Sequence, residues 1–156
     1  MPVWTGRDCT QSLEVLPLGG LHRTLQGTLI YTGGDAPLKY ASVCTGKGNT
    51  LPGLEALKRG DVVKVHCLQR VWQNGAGAEI TLARPAVPET VLVMNAGGQV
   101  LAHRLPAPTQ LTLTAPPSTP VSITYCPLLT MRVVEMKVST PEWGTVPEWS
   151  LKLEEV

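Results

Sequence analysis

Phenylalanine is absent from this chain of 156 residues, which leaves three tyrosines and four tryptophans as its only aromatic side chains. So few rings cannot interleave with Lys39, Lys47, Lys58, Arg59 and Lys64 as stacking platforms for single-stranded nucleic acid, and those bases read as a solvated face. Charge is scarce as well: 16% of residues are charged, against about 25% in an ordinary globular chain. Interface cores are depleted in charged side chains, so the deficit points to an exterior partly covered by other subunits. A lone domain rich in Thr, Gln and Gly is the equal rival. Thirteen Lys and Arg against twelve Asp and Glu leave a formal charge of +1, with no electrostatic footprint for specific nucleic-acid or membrane binding. No apolar run approaches the ~20 residues of a membrane span, and Pro2, Arg7 and Asp8 leave no apolar core for a secretory signal, so synthesis in a cytoplasm is expected. Cys9, Cys44, Cys67 and Cys126 form no Cys-x-x-Cys pair and have no histidine at ligand spacing, which argues against zinc. The even count permits two disulfides, but without a secretory context buried thiols are the expectation.

What is present is punctuation. Fifteen glycines and fourteen prolines separate short apolar runs, the pattern of an all-β fold with many strands and tight turns, either a β-sandwich or a split β-barrel. The length suits one β-rich domain over residues 1–156. Val63, Val65 and Cys67 alternate with polar neighbours, and Ala78, Ile80 and Leu82 do the same. Between them, Asn74-Gly75-Ala76-Gly77 predicts a hairpin turn. A second hairpin is expected to join residues 90–95 and 99–105 around Ala96-Gly97-Gly98. A third joins 109–114 with 121–125 across the proline-rich connection 116–120. Three further strands are expected at 12–16, 24–31 and 39–44. One short helix is expected at about residues 51–59, with Thr50 as its cap, Pro52 in its first turn and Gly60 as its stop.

The chain closes on an extended hairpin, residues 128–155, whose first arm changes phase. Leu129, Met131 and Val133 share one face, whereas Val134, Met136 and Val138 share the other. Either a β-bulge resets the alternation near Val133 and Val134, or the strand leaves its own core and buries its far half against a neighbour; the second is preferred, because the following loop carries Pro141 and Trp143. The returning arm sets Trp149, Leu151 and Leu153 against Glu148, Ser150, Lys152 and Glu154. Trp4, Trp72, Trp143 and Trp149 all fall near strand ends or loops, where an indole suits an interface as well as a core.

No catalytic, cofactor-binding or metal-binding residues are assigned. His22 follows Gly19-Gly20-Leu21 in an expected turn, His66 alternates outward on a strand, and His103 lies in a hairpin arm, so no base stands beside a nucleophile. Cys67 follows His66, but strand neighbours point to opposite faces. Asp8, Asp35, Asp61, Glu154 and Glu155 form no spaced acid/base set, and Gly46-Lys47-Gly48 lacks the upstream glycine of a phosphate loop.

The segments Tyr125-Cys126-Pro127-Leu128-Leu129-Thr130-Met131-Arg132-Val133-Val134, Pro141-Glu142-Trp143-Gly144 and Trp149-Ser150-Leu151-Lys152-Leu153-Glu154-Glu155 resemble the closing hairpin of tail proteins of tailed bacteriophages, in particular small distal-tail or baseplate-ring proteins of the tail-tube superfamily. Residues 52–63 are similar to the short helix and strand entry of such proteins. The resemblance covers about a third of the chain and implies a structural virion protein, made in the host cytoplasm and resident in the phage tail. It would self-associate into a ring, commonly hexameric, dock neighbouring tail proteins, and touch DNA only as non-specific cargo passing through its channel, with no cofactor and no membrane. Tail-tube, tail-terminator and head-to-tail connector roles stay open within that class. A capsid decoration protein and a small-ligand-binding β-barrel are the rivals outside it; the barrel would need polar groups lining its core among Val63, Val65, Ile80 and Leu82, and the sequence shows none. On the ring reading the inter-subunit ladder comprises Leu129, Met131, Val133, Val134, Met136, Val138, Leu151 and Leu153, with Trp143 and Trp149 as anchors.

Overall fold

The computed structural model describes residues 9–17, 19–33, 38–48, 56–140 and 146–156. They form an all-β protein. The strands among the described residues are β1 (Cys9–Leu16), β2 (Leu21–Arg23), β3 (Leu29–Tyr31), β4 (Lys39–Lys47), β5 (Val62–His66), β6 (Val71–Gly75), β7 (Glu79–Thr81), β8 (Leu92–Met94), β9 (His103–Ala107), β10 (Gln110–Leu113), β11 (Val121–Tyr125), β12 (Leu128–Ser139) and β13 (Glu148–Glu155). The expected single domain resolves into two compact units: one built from Met1–Val63 and Met131–Val156, the other from Lys64–Thr130.

Unit 1 is organised by a five-stranded sheet in the order β1-β4-β13-β12-β5. Cross-strand rows set the chemistry of its two faces. Trp149 opposes Gly46, Leu151 opposes Cys44 and Leu153 opposes Ser42, while Val133, Met136 and Val138 face the same three β13 residues from the other side. The alternate set, with Glu148, Ser150 and Lys152 opposite Lys47, Thr45 and Val43, looks to water. Of the two readings of the phase change, the bulge is what the chain adopts: the register shifts between Val133 and Glu135, so Val134 is the extra residue and β12 stays paired with β13 on both sides of it. Removing either of the adjacent valines therefore leaves an uninterrupted alternation. That deletion is expected to cost no more than about 1–2 kcal/mol, whereas deleting Lys152, in a strand paired on both sides with no bulge to take up the change, throws Leu151 out of phase with Leu153 and is expected to abolish folding. Circular dichroism and urea unfolding of the two deletions check this.

In unit 2 the three local hairpins expected from the turn residues give way to a two-sheet arrangement with orders β7-β10-β9 and β6-β11-β8. The turn at 74–77 exists, and Gly77 takes a φ of 83°, but it carries the chain from one sheet to the other: β6 pairs with β11 and β7 with β10. The Gln73 side chain replaces the missing ladder. Its amide nitrogen donates to the Thr81 carbonyl at 3.0 Å, and its oxygen accepts the Ala83 N–H at 2.8 Å. Likewise 109–114 and 121–125 fall in different sheets, joined by the proline-rich connection, which is unfit for a ladder. The middle turn forms as expected, with Gly98 at φ 76°, but the chain leaves β8 after one bridge and β9 pairs with β10 instead.

Both sheets contribute to one core: Ile80, Leu111 and Leu113 from the first, Val93, Val121, Ile123 and Tyr125 from the second. The Tyr125 hydroxyl accepts the Arg84 N–H at 3.2 Å and donates to Gln73 Oε1, so the one phenol in this core is satisfied. Gly75 is bare because a Cβ there would lie 2.8 Å from Ile80 Cδ1 and 2.9 Å from Ile123 Cδ1. Ile80 and Leu82, where a ligand barrel would have needed polar lining, are packed into this apolar core.

Two expectations in the first sixty residues change. The strand expected over 24–31 is a hairpin, with β2 and β3 flanking a turn in which the Gly27 N–H donates to the Thr24 carbonyl at 2.8 Å. The expected helix at 51–59 has its first five residues outside the described ones. Residues 57–60 are not helical and end in a turn where the Lys58 N–H donates to Asp61 Oδ2 at 2.8 Å.

Candidate assembly surface

The expected interface residues divide into two groups. Leu129, Met131, Val133, Trp149, Leu151 and Leu153 are buried within their own chain, and Trp149 is only 4% exposed. The indole lies against β4, where a Cβ on Gly46 would come within 2.7 Å of the ring, so the absent side chain makes the seat for it. Assigning these six to contact with a neighbour is corrected: their apolar surface is already spent on the fold, and β13 lies between β4 and β12, with both backbone edges occupied. Val134 and Met136 are half-buried and Val138 is 47% exposed, so this part of the set keeps surface to offer. Trp143 lies outside the described residues, as does Trp4.

Sequence periodicity did not reveal where backbone edges are left open. At one side of the sheet, β1 pairs only with β4 over eight residues, and among the described residues its outer edge has no strand beside it. At the other side, β5 follows β12 only as far as the bulge, where the Gly60 N–H donates to the Val133 carbonyl and the Val133 N–H to that of Asp61, both at 2.8 Å. From Glu135 to Ser139, β12 runs on with β13 on one side and no described strand on the other. Leu57 and Arg59 border a shallow groove of about 480 Å³ with Val134, Glu135, Met136 and Lys152 along this stretch. Exposed edges invite pairing with another chain.

The side chains at the two edges complement each other. On β1, Leu13 and Val15 share the face of Cys44 and Leu151, and Glu14 points to the other; on β12, Met136 and Val138 share that first face, and Glu135 and Lys137 the second. Lys137 reaches Glu135 at 3.0 Å and Lys47 reaches Glu148 at 2.5 Å, pairs exposed enough to be worth little individually. A second apolar surface stands on the β2–β3 hairpin, where Leu21, Leu25, Leu29, Ile30 and Tyr31 are all exposed. An isolated two-stranded hairpin is marginal in water, and these side chains leave it with apolar surface unburied.

His66 is exposed and Cys67 buried, His22 is exposed on β2, and His103 donates from Nδ1 to the Leu101 carbonyl at 3.2 Å. No group of three His, Cys, Asp or Glu residues gathers among the described residues, and no helix there is long and apolar enough to cross a membrane. Trp72, on the outer face of β6, is 69% exposed. No protein-family model, curated protein or solved structure matches the chain, so the likeness to distal-tail and baseplate-ring proteins rests on the sequence segments alone.

Proposed function

We propose that this chain is a structural virion protein of a tailed-phage tail, a distal-tail or baseplate-ring component that associates with its own copies by continuing its five-stranded sheet across the subunit boundary. The observation that carries the association is that, among the described residues, one sheet has two edges without a strand beside them, β1 at one end and β12 beyond its bulge at the other. These strands run in opposite directions within the sheet, so placing β1 of one copy beside β12 of the next continues the antiparallel order. An alignment with Glu14 opposite Lys137 sets Leu13 against Val138 and Val15 against Met136 on the apolar face, and Ser12 against Ser139 on the other. The contact is heterologous, and it closes into a ring when the rotation per subunit divides a full turn. The virion-tail assignment itself comes from the resemblance of the closing segments; the low charge content and the exposed β2–β3 hairpin fit an exterior covered by neighbours.

Charge reversal tests the seam. Each cross-strand pair contributes roughly 0.2–1 kcal/mol, repeated at every boundary of a ring. Glu14→Lys alone and Lys137→Glu alone are expected to lower assembly, read as the oligomer fraction by native mass spectrometry and as incorporation into particles. The double reversal is expected to restore it. Normal assembly of both single variants, or failure of the double to recover, overturns this seam.

A further inference from the structure

The edge strand β1 carries a second feature, independent of assembly. In the β1–β4 ladder Cys9 opposes Gly46 and Cys44 opposes Gln11, which puts both thiols on one face at diagonal positions of adjacent strands. Both thiols are free. Ser42, fully buried on the same face, accepts a hydrogen bond from Gln11 Nε2 at 2.8 Å and lies 3.9 Å from Cys44 Sγ, so its own hydroxyl proton is available to that sulfur. We propose that Cys9 and Cys44 are an intramolecular disulfide site, closed by thiol–disulfide exchange with a small-molecule disulfide of the glutathione type, which staples β1 to β4.

The exchange balances in two steps. The Cys44 thiol gives its proton to solvent and its sulfur attacks the small disulfide; that S–S bond breaks, a mixed disulfide forms on Cys44, and the first small thiolate leaves and takes up a proton. The Cys9 thiol then loses its proton, its sulfur attacks the Cys44 sulfur, and the second small thiol departs. The protein gives up two hydrogens and two electrons, and the small disulfide gains both. Diagonal positions stand farther apart than a relaxed disulfide allows, so closing the bond requires one strand to shift; β1, which among the described residues is paired with β4 alone, makes that movement. Burial holds both thiols above the ordinary value. At Cys9 the neighbouring Cys44 adds to this, whereas at Cys44 the Ser42 hydroxyl and the neighbouring Cys9 pull the other way. Thiolate is the attacking form, so exchange is slow near neutrality and accelerates as pH rises.

The test treats the folded full-length chain with oxidised glutathione across neutral to alkaline pH and counts titratable thiols. A fall from four to two is expected, with a cross-linked peptide joining Cys9 to Cys44, a rise in the thermal midpoint and full reversal by dithiothreitol. Cys9→Ser and Cys44→Ser each abolish the midpoint shift. Cys67→Ser and Cys126→Ser, at positions only 3% and 8% exposed in unit 2, leave it in place. Four thiols persisting at alkaline pH, a glutathione adduct that never resolves, or a cross-link between any other pair overturns the proposal.

Discussion

Replacing Trp149 by alanine is expected to lower the stability of the fold by about 3–5 kcal/mol, read as the shift in a urea unfolding midpoint at constant slope. The magnitude follows from where the indole sits. It is almost wholly buried, in a cross-strand row with Gly46 and Val138, and the backbone of β4 forms the floor beneath it. A side chain added to that floor meets the ring at 2.7 Å, so Gly46→Val strikes the same contact from below and is expected to cost about 1–3 kcal/mol by overpacking. The two changes share a neighbour and should not add, since a truncated tryptophan leaves room for the new valine. If Trp149→Ala costs less than about 1 kcal/mol while the oligomer is lost, the indole serves a neighbour rather than its own core, and the burial described above is not that of the protein in solution.

The second large effect belongs to unit 2. Ile123 is fully buried in the central strand of its sheet, flanked by Gln73 of β6 and Val93 of β8. Truncation to alanine is expected to cost about 2–5 kcal/mol, and Ile123→Val only about 0.5–1.5 kcal/mol, because β-branching and most of the volume are kept. Hydrogen exchange monitored on both variants tells where the loss falls: protection should drop across β6, β8 and β11 first. Equal losses for valine and alanine would show that the site relaxes around any vacancy, contrary to packing between two sheets.

Much of the architecture was legible because alternation is a local property. Residues 121–125 and 149–153 announce their buried faces in their own sequence, and the structure buries Val121, Ile123, Tyr125, Trp149, Leu151 and Leu153 accordingly. Partner choice was not legible. Asn74-Gly75-Ala76-Gly77 holds the residues of a hairpin turn, yet the same backbone freedom serves a corner between sheets, and what separates the two outcomes is the distant pairing of β6 with β11. The candidate surface was misplaced for a related reason. An apolar stripe such as Leu129, Met131 and Val133 has one appearance whether its own chain or another covers it, so composition alone could not decide. Open edges are the reverse case. Nothing in the side chains of β1 or of β12 past Val134 marks them as edges among the described strands, because an edge is set by backbone partners and depends on where β5 ends.

Unit 2 is one unbroken stretch, entered from β5 and left into β12, and those strands are neighbours. Its two ends consequently emerge side by side, with the Cys67 N–H bonded to the Pro127 carbonyl at 3.0 Å. A tract whose ends meet so closely can lengthen, shrink or be exchanged for another without disturbing the ladder of β1, β4 and β13. Among descendants of such a gene, insertions and deletions are expected to gather between residues 67 and 127, while the flanking strands keep their spacing.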